Sequence, residues 1–148
     1  MRKMKKGILT IVLSNSILFF LLVPLHEFSH FVIAQFLGCK TQEILLDFLA
    51  SSAHAKILCS QEKIHFVYLG GLFPAILSFP FLLSGKTGRK IFLLVTGFSF
   101  VLSSVDLSFL NPSYFYFSLF TGLFFISAGE YKVATNFTSL EILQNRSF

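Results

Sequence analysis

Charge is what this sequence has least of. Only 13% of its 148 residues are charged, 12 Lys and Arg against 7 Asp and Glu, while 54% are hydrophobic and 21 are Phe. Soluble domains carry roughly twice that charged fraction. An ordinary soluble fold is therefore excluded, and a small polytopic membrane protein is expected. Also missing is a small-x-small cleavage site after the basic, apolar N-terminal stretch, so that stretch is expected to stay as a membrane span rather than act as a removable signal. There is no internal repeat, and no low-complexity segment beyond the Phe bias. Cysteine is scarce too. Cys39 and Cys59 bracket one polar segment, but two cysteines are weak evidence for a bridge, and free thiols are expected.

The net charge of +5 does not describe a nucleic-acid groove. Arg2, Lys3, Lys5 and Lys6 precede the first apolar run, and Lys86, Arg89 and Lys90 lie between two later ones. That is the pattern of cytosolic flanks. The partners it implies are a lipid bilayer and no nucleic acid. The expected fold is an all-α membrane protein of one domain, with about four transmembrane helices over residues 8–37, 64–84, 91–110 and 114–128. A polar insert at 38–63 follows the first span, and its composition is compatible with a β-hairpin or a short amphipathic helix. Residues 85–90 read as a basic turn, and residues 129–148 as a polar tail with a short surface helix at 139–144. Both termini are then expected in the cytosol and the insert outside. Pro24 is expected to bend the first helix just before the motif described next.

The first span contains HEFSH, His26 to His30, three costly groups in one turn of an apolar helix. An acidic or basic residue at a bilayer centre costs about 2.5–3.5 kcal/mol on insertion scales, so such groups are usually functional. Residues i and i+4 share a helix face. His26 and His30 can therefore point ring nitrogens at one ion, while Glu27 lies about 100° round the helix, beside the ion rather than on it. This is the HExxH arrangement of two zinc ligands and a general base. With residues 86–90 and the N-terminus on one side, the first and third spans run outward and the second inward. His26, His30, the Gly70-Gly71 and Pro74 stretch and Asp106 then fall at a similar height. Zinc catalysts commonly use three protein ligands, and Asp106 is the well-placed acidic candidate. Glu130 is its rival but falls at the opposite end of its span, and His54 and His65 are lone histidines of a kind more often solvated.

HEFSHFVIAQFLG resembles the HExxHxxxAxxxG pattern of the site-2 protease family of intramembrane zinc metalloproteases, with Ala34 and Gly38 both in place. GGLFP in the next span is similar to that family's small-residue and proline motif, and an aspartate follows in the span after it. The resemblance covers residues 10–110. It implies that His26, His30 and Asp106 hold Zn2+, that Glu27 activates water, and that the partner is a membrane protein substrate, whose unwound segment would meet a strand edge in the insert. The chain departs from the pattern in three ways. Asp106 sits in SSVDLSF with Asn111-Pro112 after it rather than before, no asparagine accompanies GGLFP, and there is no PDZ-like domain.

The reaction so implied is hydrolysis of a peptide bond in or near a transmembrane segment by a zinc-dependent metalloendopeptidase. A catalytically silent metal-site scaffold is the alternative. A metal-ion carrier would need a trail of polar residues through the membrane, which the sequence does not offer.

Overall fold

The computed structural model describes the backbone of residues 2–47 and 52–145, and the side chains of residues 9–40 and 57–131. Helix α1 (Arg2–Phe36) runs without interruption through Pro24. It stops where glycine permits: Gly38 adopts φ 69°, and the Cys39 N–H reaches back to the Ala34 carbonyl at 2.9 Å. This left-handed closure satisfies helix-end carbonyls and would strain any residue bearing a Cβ. One turn earlier, Ala34 is completely buried.

The reversal at Gly38 leads into strand β1 (Lys40–Asp47), which pairs antiparallel with β2 (Ser52–Leu58). Lys40 lies opposite Leu58 and Asp47 opposite Ser52, with a bulge between Thr41 and Glu43. Cys39 and Cys59 sit just beyond the base of this ladder. Closing the hairpin brings their Cα atoms to 4.9 Å, and the two are joined by a disulfide. The expectation of free thiols is thereby corrected. Strand pairing sets the cysteine separation, and a count of two cysteines carries no trace of it.

The second apolar stretch is a broken helix. It comprises α2 (Gln61–Leu69), a 3-10 turn (Gly70–Leu72), α3 (Phe73–Leu77) and α4 (Phe79–Leu83). Pro74 and Pro80 lack the N–H that would continue the ladder, and each falls in the first turn of a new segment, where that N–H is not needed. Gly85, at φ 84°, then turns the chain into α5 (Gly85–Ser108). The basic turn expected at 85–90 is therefore the opening of α5. Asn111 starts α6 (Pro112–Asn145): its side-chain oxygen accepts from the Ser113 N–H at 2.9 Å, with Pro112 as the first helical residue. The separate tail helix expected at 139–144 is part of α6, since no Gly or Pro interrupts the sequence between Glu130 and Asn145.

Among the described residues, Leu9–Phe36, Gln61–Leu83 and Gly85–Ser108 are long and apolar enough to cross a membrane. The protein is mostly helical and suited to embedding in a bilayer. Its interior mixes small polar residues with a few apolar ones such as Leu22, Val67 and Leu94. Ser99, Ser103 and Ser118 are fully buried, whereas Leu13, Ile17, Phe20, Phe117, Phe120 and Phe124 face outward. Small residues let α5 and α6 approach closely, as membrane helices do. A Cβ on Gly122 would lie 2.6 Å from the Gly97 carbonyl oxygen, and the Ser118 hydroxyl donates across the seam to the Phe100 carbonyl at 2.6 Å.

Removing the clip between α1 and α2 with Cys39→Ser and Cys59→Ser is expected to lower unfolding stability by about 2–4 kcal/mol. Limited proteolysis should then cut within residues 40–58 sooner than in the unaltered protein. An unchanged cleavage rate would show that the hairpin is held without the bond.

Candidate metal centre

The HEFSH turn lies on the face of α1 that meets the broken second helix and α5. His26 and His30 are buried, at 5% and 6% exposure, and their rings stand edge to face with centroids 4.6 Å apart. The i, i+4 spacing places both on one side of the helix. Asp106, near the end of α5, closes the group. Its Oδ2 lies 2.9 Å from His26 Nε2 and 3.1 Å from His30 Nε2, and the two Nε2 atoms are 3.1 Å apart. No other group of three or more His, Cys, Asp or Glu side chains close enough to hold a metal ion occurs among the described residues.

The other ring nitrogens fix the chemistry. His30 Nδ1 is 2.6 Å from the Val67 carbonyl oxygen, and His26 Nδ1 is 3.1 Å from that of Gly71. Carbonyl oxygens only accept, so each Nδ1 carries the hydrogen and donates it. In a neutral imidazole the other nitrogen, Nε2, then bears a lone pair. With both imidazoles neutral, two such lone pairs would converge with a carboxylate oxygen, the three atoms lying within 3.1 Å of one another. Three acceptors at this distance repel unless something positive lies between them. His26, His30 and Asp106 could therefore hold a metal ion. The partners at Nδ1 are of the type that orients ligand histidines in metal sites.

The break in the second helix supplies those partners. Gly71 lies in the 3-10 turn, where the regular i to i+4 ladder lapses, and Val67 lies at the end of α2, its carbonyl accepting both the Gly70 N–H and His30. The approach is close: a Cβ on Gly71 would collide with the His26 ring and lie 2.9 Å from the Ser103 hydroxyl. Gly70 is less tight, with Ile33 Cγ1 3.2 Å from its would-be Cβ. Ser103, fully buried one turn before Asp106, has no hydrogen-bond partner for its hydroxyl among the described residues.

A cavity of about 280 Å³ opens beside the cluster. Glu27, His30, Tyr68 and Asp106 line it, together with apolar Ile57 from β2 and Ile64. Glu27 is thus on the cavity side while the histidine Nε2 atoms face the cluster. Glu130 is placed elsewhere: it accepts a hydrogen bond from Asn15 Nδ2 at 2.9 Å, joining α6 to the first half of α1. His65 is exposed on α2 and outside the cluster. The side chain of His54 lies outside the described residues. The carbonyls of Val67 and Gly71 and the ring of Tyr68 are site components that the sequence did not single out. Their one signal was the Gly-Gly and Pro interruption in YLGGLFP, which marks loosened backbone without saying which atoms it frees.

Gly71→Ala is expected to lose about 1–3 kcal/mol of stability through overpacking against His26 and Ser103. Gly70→Ala should lose less, because Ile33 can shift. Thermal unfolding of the two variants in detergent micelles checks the order, and a reversed order would contradict the packing described.

No family model matches this chain, and no curated protein or solved structure matches it.

Proposed function

We propose that this chain is an intramembrane zinc metalloprotease that hydrolyses a peptide bond in or near a transmembrane segment of a membrane protein. The observation that carries the reading is the convergence of three acceptor atoms, His26 Nε2, His30 Nε2 and Asp106 Oδ2, with both imidazole hydrogens committed elsewhere. A tetrahedral zinc site with bonds of about 2.0–2.1 Å spaces its ligand atoms about 3.3 Å apart. The observed 2.9–3.1 Å edges are close to that. Two imidazoles and a carboxylate are donors that suit zinc, and three protein ligands leave the open position typical of its catalytic sites. The resemblance of HEFSHFVIAQFLG to the site-2 protease pattern supports the same reading.

When bound, Zn2+ supplies Lewis acidity to the scissile carbonyl and the attacking water. The chain's own residues supply the rest. His26 and His30 are held in one tautomer by the Gly71 and Val67 carbonyls. Glu27, on the cavity side, takes a proton from the attacking water as its oxygen bonds to the carbonyl carbon. It returns that proton to the amine nitrogen as the C–N bond breaks. Ile57 and Ile64 provide an apolar wall suited to a substrate segment drawn from the membrane.

The same reading extends to orientation. The disulfide between Cys39 and Cys59 favours an oxidising compartment for the hairpin. The basic clusters at residues 2–6 and 86–90 favour the cytosol for the other side. The protein is then a multi-pass protein of the cell membrane, with α6 packed on α5 as the fourth crossing.

Three measurements test these claims. Purified protein is expected to contain about one zinc per chain, with little left after His26→Ala combined with His30→Ala. Glu27→Gln should keep its zinc yet cleave a co-expressed membrane substrate about 10²–10⁴-fold more slowly. Cleavage by Glu27→Gln at the original rate would remove the protease mechanism and leave a metal-site scaffold. For orientation, intact cells are treated with a membrane-impermeant reductant and then an impermeant maleimide. Labelling of Cys39 and Cys59 is expected without permeabilisation. Labelling only after the membrane is opened would invert the topology.

A further inference from the structure

Peptide hydrolysis develops negative charge on the scissile carbonyl oxygen, and a preorganised donor aimed at that oxygen is commonly among the largest contributors to rate. Of the polar side chains lining the cavity, Glu27 is assigned as the base, and His30 and Asp106 are engaged with each other and with His26. Tyr68 remains, and it carries the one hydroxyl among the described lining residues. The Ser103 hydroxyl is close to His26 but fully buried and does not line the cavity.

The placement of Tyr68 is tied to the site by its backbone and by its ring. Position 68 lies between Val67 and Gly71, whose carbonyls bind His30 and His26. The segment that orients the histidines therefore also carries the tyrosine. Its ring stacks on Phe109, centroids 5.3 Å apart and planes 20° from parallel. Phe109 caps the C-terminus of α5 three residues after Asp106, its N–H bonded to the Asp106 carbonyl, so the ring is braced next to the element that brings the carboxylate. A phenol fixed in this way loses little freedom when its O–H is used.

We infer that Tyr68 is a further catalytic residue, whose hydroxyl donates a hydrogen bond to the scissile carbonyl oxygen as that oxygen becomes an oxyanion. This rests on the protease reading above. As the water oxygen bonds to the carbonyl carbon, the π pair moves onto the carbonyl oxygen, where Tyr68 stabilises it without giving up its proton. The pair returns to re-form the C=O bond as the C–N bond breaks, and the proton held by Glu27 goes to the departing nitrogen. No oxidant or further reactant is required.

The test compares unaltered protein, Tyr68→Phe and Glu27→Gln, each as zinc-loaded full chain in detergent. Zinc per chain, cleavage of a fluorescein-tagged transmembrane peptide and affinity for a peptide phosphonamidate, a tetrahedral anion, are measured on all three. Tyr68→Phe keeps the ring and its stack on Phe109, so the melting temperature reports whether folding has been spared. The expected result is unchanged zinc, unchanged melting and unchanged KM, a kcat lower by about 10²–10³-fold, and phosphonamidate binding weakened at least tenfold. Equal kcat and equal phosphonamidate affinity would overturn the role of Tyr68 while leaving the protease reading intact. Loss of zinc or of stability in Tyr68→Phe would make the residue structural and overturn it as well. Should the unaltered protein fail to cleave, or Glu27→Gln cleave equally well, the protease reading fails separately. The phosphonamidate comparison then decides on Tyr68 alone, and equal affinity, or no binding to the unaltered protein, rejects it.

Discussion

Three polar atoms turned toward one point form the constraint on which the rest of this structure depends. His26 Nε2, His30 Nε2 and Asp106 Oδ2 come within 3.1 Å of one another because α1 and α5 are pressed together at this level. The repulsion among them is largest where water is excluded. The protein commits each Nδ1 hydrogen to a backbone carbonyl, which turns both Nε2 atoms toward the Asp106 carboxylate and makes the triangle suited to positive charge.

The broken second helix and the histidines are complementary in this respect. In hydrocarbon, a backbone carbonyl released from the helical ladder costs several kcal/mol unless it finds a donor. The Gly71 carbonyl finds a donor in His26, and the Val67 carbonyl, which also accepts the Gly70 N–H, takes His30 on its second lone pair. The histidines in turn need acceptors that fix their tautomer. The absence of a Cβ at Gly71 is what allows the His26 ring to approach. The interruption by Gly and Pro is thus part of the site as well as of the packing.

The remaining polar contacts lie away from the cluster and join helices to one another. Asn15 and Glu130 meet far along α1 from the motif and bridge two long helices. Ser118 and the Gly97–Gly122 contact draw α5 and α6 together. With large apolar side chains facing outward, specificity between helices falls to small residues and hydrogen bonds. This is the division of labour expected where lipid removes the hydrophobic drive between helices.

The sequence by itself determined what depends on local spacing and composition. His26 and His30 share a face because residues four apart must do so on a helix. The helical, apolar character follows from a chain with too little charge to dissolve. Gly38 ends α1 because it tolerates φ 69°. Asp106 could be brought to the level of the histidines by counting residues along alternating spans. Tertiary structure decided what depends on contacts between distant residues. Which nitrogen of each histidine faces Asp106 is set by carbonyls 37 and 45 residues away. The pairing of Cys39 with Cys59 required the register of β1 and β2, and the fusion of the expected helix at 139–144 with the rest of α6 likewise came only from the structure. Tyr68 lines the cavity and stacks on Phe109, neither of which its place in the sequence announced. Spacing along one helix is fixed by backbone geometry, whereas the direction of a side chain between helices is fixed by what the neighbouring helix presents.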